Sequence, residues 1–276
     1  MNILFFSDNF PPEVNAPASR TFEHAVTWVK HGHDVAVITC CPNFPKGEIH
    51  EGYKNLPFQI EYVEGIKVIR VWSFISSNSG FFSRIIDYLS FMVSSFVVSL
   101  GVKKVDVIVG TSPQFFTCCS AGLSAFLKRR PWVFELRDLW PHSIQAVGAM
   151  RNKTALRSLE KLELFLYKNC SLIISVTNSF KDDLVLRGVD PAKIKVVTNG
   201  VNLERFTPID KNKSLLVEHS LNWCFVAGYL GTIGLAHGLE TLIKAAEYLE
   251  SLKDNKSNIK IIILGDGAEK GKLKKT

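Results

Sequence analysis

The 276 residues contain no Cys-x-x-Cys pair, no Gly-x-Gly-x-x-Gly fingerprint, no low-complexity tract and no solenoid-type repeat. Each absence excludes a class. The six cysteines are Cys40, Cys41, Cys118, Cys119, Cys170 and Cys224. Four of them stand as adjacent pairs, a spacing that suits neither a disulfide framework nor a metal site. They read as small buried side chains in a reducing compartment, with no metal. Without the glycine fingerprint, a nicotinamide-dependent dehydrogenase loses its main signature. The first residues, MNILFFSDNFPPE, enter a strand pattern with no basic n-region ahead of it, unlike a signal peptide. The expected location is cytoplasmic. No nucleic-acid motif is present. The net charge is +7, but the basic residues are scattered apart from clusters at 103–104, 128–130 and 270–275. A solvated surface is the plain expectation, with an anionic membrane or a phosphorylated ligand as the functional one.

What is present is alternation. Short runs rich in Val and Ile, at 2–7, 34–39, 105–110, 132–137, 172–176, 194–198, 223–230 and 259–264, are separated by longer helical patterns. Several runs are apolar at every position, as parallel strands covered on both faces should be. The expected fold is α/β with a doubly wound parallel sheet. Phe22, Ala25, Val26 and Val29 mark one face of a first helix, with Pro17 in its first turn and Gly32 past its end. Ser179 and Asp182 resemble a capping box for a later helix. Two β-rich runs around Glu64-Gly65 predict an inserted hairpin. Segment 81–104 has roughly 15 uncharged residues in a row, short of the roughly 20 that a membrane span needs. It reads as a core helix burying Phe82, Ile85, Leu89, Met92, Phe96 and Leu100, with Ser90, Ser94 and Ser95 elsewhere; a helix lying in a membrane interface is the alternative. The polar stretch 207–222 reads as a linker between a first domain, 1–206, and a second, 223–276. The second has too few strands to close a core.

In an open α/β sheet, ligands bind beyond the carboxyl ends of the strands. The residues there are polar, small or proline-rich: Asp8, Asn9 and Glu13; Thr111 and Ser112; Arg137, Asp138 and His142; Asn199 and Gly200. The run FELRDLWPHS is unusual, because an apolar strand ends in an Arg-Asp pair and a Trp-Pro turn. Arg137–Asp138 is either an ion pair that pins the turn or part of a site, and Trp140 is either a lid or a stacking surface for a sugar ring. Two glycine turns, GYLGTIGLAHG at 228–238 and GDG at 265–267, each follow a strand and could turn backbone N–H groups toward a diphosphate.

Taken in order, SDNFPPEVNAPASR, FELRDLWP, TNGVNLERF, GTIGLAHGLETL and ILGDG resemble family 4 glycosyltransferases of the O-antigen and capsule type, similar to N-acetyl-L-fucosaminyltransferases. The resemblance covers the whole chain. It implies a GT-B fold: a Rossmann-like N-terminal domain and a second, here incomplete, Rossmann-like domain. It implies a retaining transfer from a nucleotide-sugar, UDP-linked and without metal, to a glycan on a polyprenyl diphosphate at the inner membrane face, with no nucleic-acid partner. The resemblance gives Asp138 and Arg137 the catalytic positions. The acceptor side comprises Asn15, Ser19, Arg20, Trp140 and His142. The donor side comprises Asn199, Gly231, Thr232, Gly234, His237, Gly265 and Gly267. Thr232 and His237 stand where the family carries Arg and Lys against the leaving diphosphate. The family's pair of donor-site glutamates has no counterpart here, so a truncated transferase is expected. A non-catalytic binding fragment and a nucleotide-sugar epimerase are the competing expectations.

Overall fold

The computed structural model describes residues 1–75, 81–139, 152–252 and 258–274. The chain divides into two compact units, Met1–Asn199 and Gly200–Thr276.

The first unit is built on eight strands: β1 Asn2–Phe6, β2 Asp34–Cys40, β3 Phe58–Val63, β4 Ile66–Val71, β5 Val107–Thr111, β6 Trp132–Leu136, β7 Leu172–Ser175 and β8 Ile194–Val196. Their order in the sheet is β3-β4-β2-β1-β5-β6-β7-β8. All pairings are parallel except β3 with β4. Glu64 and Gly65, both at positive φ, make the hairpin turn between them. Strand order reverses between β1 and β5, which opens the crevice where ligands of such sheets sit.

Five helices of this unit are described: α1 Ala16–Lys30, α2 Phe81–Leu100, α3 Phe115–Lys128, α4 Lys153–Asn169 and α5 Asn178–Leu186. Strand β1 shows why both faces need cover. Leu4 and Phe6 enter one core with Phe91, Cys118 and Phe134, while Ile3 and Phe5 enter another with Ala25 and Val37. Side chains alternate along a strand, so a strand apolar at every position demands helices on both sides. Burying each such side chain contributes roughly 1.5–3 kcal/mol. Helix α5 starts earlier than the Ser179 reading: its cap is Thr177, whose hydroxyl accepts from the Phe180 N–H at 3.1 Å.

Helix α2 follows the expected facing only in part: Met92 packs against the core, and Ile85 and Phe96 are half-buried. Phe91, Ser95 and Ser99 are buried, whereas Leu89 and Leu100 are exposed. The two serines meet α3, Ser95 with Ser120 at 2.8 Å and Ser99 with Ser124 at 2.7 Å. Paired hydroxyls satisfy each other in the core, and small side chains let the helices approach closely.

The second unit contains a two-stranded parallel sheet, β9 Phe225–Leu230 with β10 Ile259–Leu264. Around it lie α6 Lys213–Glu218, α7 Glu240–Ser251 and α8 Lys270–Leu273. The stretch read as a plain linker, 207–222, holds α6, because Asn212 caps it by accepting from Ser214 and Leu215 N–H groups.

Gly110 in β5 lies against α3. A Cβ there would stand 2.7 Å from Ala121 Cβ and 3.2 Å from Cys118 Cα. Gly110→Ala is therefore expected to destabilise the first unit by roughly 1–3 kcal/mol through overpacking, read by denaturant unfolding. An unchanged midpoint would mean that α3 moves away without cost.

Candidate functional site

The carboxyl ends of β1, β5, β6 and β8 bring together residues far apart in sequence. Glu135, on β6, is 3% exposed. Two arginines and an imidazole surround its Oε1: His24 Nδ1 at 3.5 Å, Arg20 Nε at 3.7 Å and Arg137 Nη1 at 3.8 Å. Its Oε2 makes no hydrogen bond among the described residues. A carboxylate so withdrawn from water needs this company, because burial without opposite charge costs several kcal/mol.

Each cation is positioned by its own element. Arg20 and His24 are one helical turn apart on α1 and share a face. Arg20 also donates to Thr111 Oγ1 at 2.9 Å and to the Ser112 carbonyl at 3.4 Å. Ser112 Oγ accepts from the Arg137 N–H at 2.7 Å and from the Asp138 N–H at 3.3 Å. The Arg137 guanidinium donates to Asn199 Oδ1 at the end of β8. Burial lowers the Arg20 pKa against the pull of Glu135. It also lowers that of His24, so the imidazole favours its neutral form. Asp138 is half-buried, and burial raises its carboxyl above the usual range while Arg20 and Arg137 pull it back.

A second group lies around the loop after β1. Arg70 is 2% exposed; it bonds Glu61 at 2.7 Å, the Cys40 carbonyl at 3.2 Å and the Pro11 carbonyl. Glu13 is buried and its Oε1 accepts from the Asn43 and Phe44 N–H groups at 2.8 and 2.9 Å. These contacts fix the loop in place. Burial raises Glu13; it pushes Asp8 up to about 6, with Glu13 adding to the rise. Asp87, from the first half of α2, is pushed up to about 7 by burial and then by the charges of Asp8 and Glu13.

The sequence-derived candidates fare differently. Arg20, Arg137, Asp138 and Asn199 come together. Asn15 serves the fold: it caps α1 by accepting from the Ala18 N–H at 2.8 Å and donates to Asn9 Oδ1 at 2.6 Å. Ser19 sits half-buried in the first turns of α1. Trp140 and His142 lie outside the described residues. In the second unit, Gly265 and Gly267 are accounted for by packing, since a Cβ would stand 1.8 Å from the Gly231 carbonyl oxygen and 2.3 Å from that of Ile233. The N–H groups of Gly231 and Ile233 are taken by the Leu264 and Asp266 carbonyls, at 3.0 and 2.8 Å. Thr232 and His237 are exposed, and Gly234 accepts from the His237 N–H at 3.0 Å. Sequence reasoning missed Glu135, Arg70 and Asp87, and placed Glu13 beyond the first strand without giving it a role. A charged residue inside an otherwise apolar strand run was the available signal for Glu135 and Arg70. Among the described residues, no three His, Cys, Asp or Glu side chains are grouped to hold a metal ion.

Comparison with known proteins adds the following. The family model described as Glycosyltransferase Family 4 matches residues 18–205. WcaI of Escherichia coli (strain K12), provisionally named a colanic acid biosynthesis glycosyl transferase, is 24% identical over all of this chain and 68% of its own length. Anabaena HepE, solved in complex with UDP and glucose, superposes with a TM-score of 0.62 at 16% identity, covering 100% of this chain and 64% of HepE. The lipopolysaccharide outer core galactosyltransferase WaaB, in its apo form, superposes with a TM-score of 0.52 at 13% identity, again over 100% of this chain and 64% of its own. The chain thus spans about two thirds of the length of these relatives, and its fold is a partial GT-B arrangement.

The raised carboxyls carry a stability signature. Asp8 holds its proton in the folded state up to about pH 6, whereas in the unfolded chain it releases it near 3.8. Between those values the unfolded state binds fewer protons, so stability falls as pH rises, and it levels above about 6. Asp87 extends the fall to about pH 7. Asp8→Asn and Asp87→Asn should each flatten this slope and stabilise the protein at pH 8, by roughly 3 kcal/mol at most. A slope unchanged in the double variant would show that these carboxyls are ordinary.

Proposed function

The chain belongs to glycosyltransferase family 4, and on that premise we propose that it serves a retaining transfer of a sugar from a UDP-linked donor to a glycan carried on a polyprenyl diphosphate, in the making of a surface polysaccharide at the inner membrane face. The convergence of Arg20, Arg137 and Asp138 around Glu135, at the crevice where strand order reverses, carries this reading. Colanic acid in the name of WcaI and UDP bound to HepE support it from the side of the relatives.

In this reading Asp138 orients the acceptor hydroxyl or steadies positive charge developing on the sugar. Two arginines set beside it favour anionic ligand groups. Ser112 holds the Arg137–Asp138 turn through both backbone N–H groups, so the carboxylate is aimed before substrate arrives. On the second unit, the exposed Thr232 and His237 are the side chains assigned to the leaving diphosphate, in place of fixed cations. A module that binds acceptor without turning over a donor is the competing reading; what speaks for it is that the assembled polar cluster lies wholly within the first unit.

Asp138→Ala, in a form with the full length of its relatives, should cut transfer from UDP-sugars to a lipid-linked acceptor about 100-fold or more, with the unfolding temperature nearly unchanged. Near wild-type turnover in that variant would return the Arg-Asp pair to a structural role. Acceptor binding without transfer at any length would favour the binding module.

A further inference from the structure

The outer side of α2 and α3 is built the wrong way round for water. Helix α2 turns its serines inward and presents Ile86, Leu89, Val93, Val97 and Leu100 outward, all exposed. These fall at i, i+3, i+7, i+11 and i+14, one continuous stripe along the helix. Helix α3, packed beside α2 on the same sheet face, exposes Leu123, Leu127 and Phe126, the last 80% exposed. On the other flank, the edge strand β3 exposes Phe58, Ile60 and Tyr62. Between β3 and the last turns of α2 runs a groove of about 750 Å³. Single exposed apolar residues are ordinary, but three adjoining elements turned outward together are not.

Charge collects at one end of this face. Lys128 Nζ donates to the Val102 carbonyl at 2.8 Å and to that of Leu100 at 3.4 Å. This bond sets the end of α3 against the end of α2. It therefore brings the exposed Lys103 and Lys104 next to the exposed Arg129 and Arg130. Lys67, Lys103 and Lys104 also border the groove, against a single carboxylate in its described lining, Asp34. By length and composition α2 could cross a membrane. Its packing along β2, β4 and α3 instead lays it flat against the sheet.

We propose that this face, the outer stripes of α2 and α3 with the basic rim at 103–104 and 129–130, seats the protein on an anionic lipid surface. The apolar stripe enters the boundary between headgroups and acyl chains, and the rim meets the lipid phosphates. Helix α2 reaches from the loops near Asp8, through Asp87, to the basic end, about 30 Å at 1.5 Å per residue. A protein seated along it holds the polar cluster within reach of a lipid-linked acceptor. That purpose rests on the reading of the acceptor given above; the binding itself does not.

The test uses the 276-residue chain and sedimentation with vesicles of phosphatidylcholine, with or without phosphatidylglycerol. Each basic residue near an anionic surface strengthens binding by roughly fivefold. Wild type should bind the anionic vesicles at least tenfold more tightly than neutral ones and lose that preference at 0.5 M salt, roughly a 4 Å Debye length. Replacing Lys103, Lys104, Arg129 and Arg130 by Gln should abolish the preference. Val93→Ser, Val97→Ser and Phe126→Ser together should weaken binding to both vesicles, with unfolding unchanged because all three positions are exposed. No binding to anionic vesicles, or equal binding by both variants, overturns the proposal. So does a dimer, seen by light scattering, that the apolar variant dissolves while vesicle binding is absent. Transfer to a water-soluble acceptor analogue, measured in a form with the full length of its relatives, separates the two readings: vesicle binding without transfer leaves this surface standing and the transferase reading in doubt, and transfer without vesicle binding does the reverse.

Discussion

A carboxylate almost withdrawn from water must be held by cations, and Glu135 is held by two arginines, Arg20 and Arg137, with the His24 imidazole beside them. This constraint organises the first unit. Arg20 and His24 fix the rotation of α1, because only one helical face carries both. Arg137 stands two residues beyond Glu135 and so leaves the strand on the same side. Ser112, at the end of the neighbouring strand, then has to meet the Arg137 N–H, and Asn199 the guanidinium. Three strand ends and helix α1 are thus tied through one buried charge. A substitution that removed the glutamate would leave several cations facing one another in a site of low polarity, which is why such a cluster is strongly destabilised by losing one partner.

The neighbouring cluster obeys the same rule with the opposite outcome. Asp8, Glu13 and Asp87 are withdrawn from water among their own kind, with arginine charge only partly offsetting the repulsion. Where cations are too few, carboxyl pKa values rise instead. The crevice therefore changes character along its length, from arginines at the β5–β6 end to carboxyls of raised pKa at the β1 end. In the proposed reaction this suits a ligand with phosphate at one end and hydroxyl groups at the other. Arg20 lies between the two groups and acts on both.

Much of the fold was legible in the chain, and the reasons are physical. Parallel strands covered on both faces must be apolar throughout, so runs such as Asn2–Phe6 and Ile259–Leu264 announce themselves. The hairpin was marked by Glu64-Gly65. What stayed hidden depended on partners distant in sequence. Glu135 looked like an interruption in a strand until α1 supplied Arg20 and His24. Asp87 lies far along the chain from Asp8, and only the sheet brings α2 alongside the loop after β1. Gly265 looked like part of a phosphate-binding turn. It also lies in close approach to the Gly231 carbonyl, and no local pattern encodes that.

Helix α2 shows the limit of pattern reading most clearly. Its sequence carries a serine stripe and an apolar stripe, and hydrophobicity alone would bury the second. The structure buries Ser95 and Ser99 beside Phe91, Met92 and Val98, because α3 repeats serine at the same four-residue step, Ser120 and Ser124, opposite them. Each hydroxyl finds a partner at hydrogen-bond distance, and the small side chains let two helices close on each other. A buried serine pair loses little once it is bonded. An apolar side chain left in water forgoes roughly 1.5–3 kcal/mol. Five such residues along one stripe therefore leave the isolated chain well short of its most favourable arrangement. An exposed face of this kind persists in a folded protein when the medium it meets is not water alone.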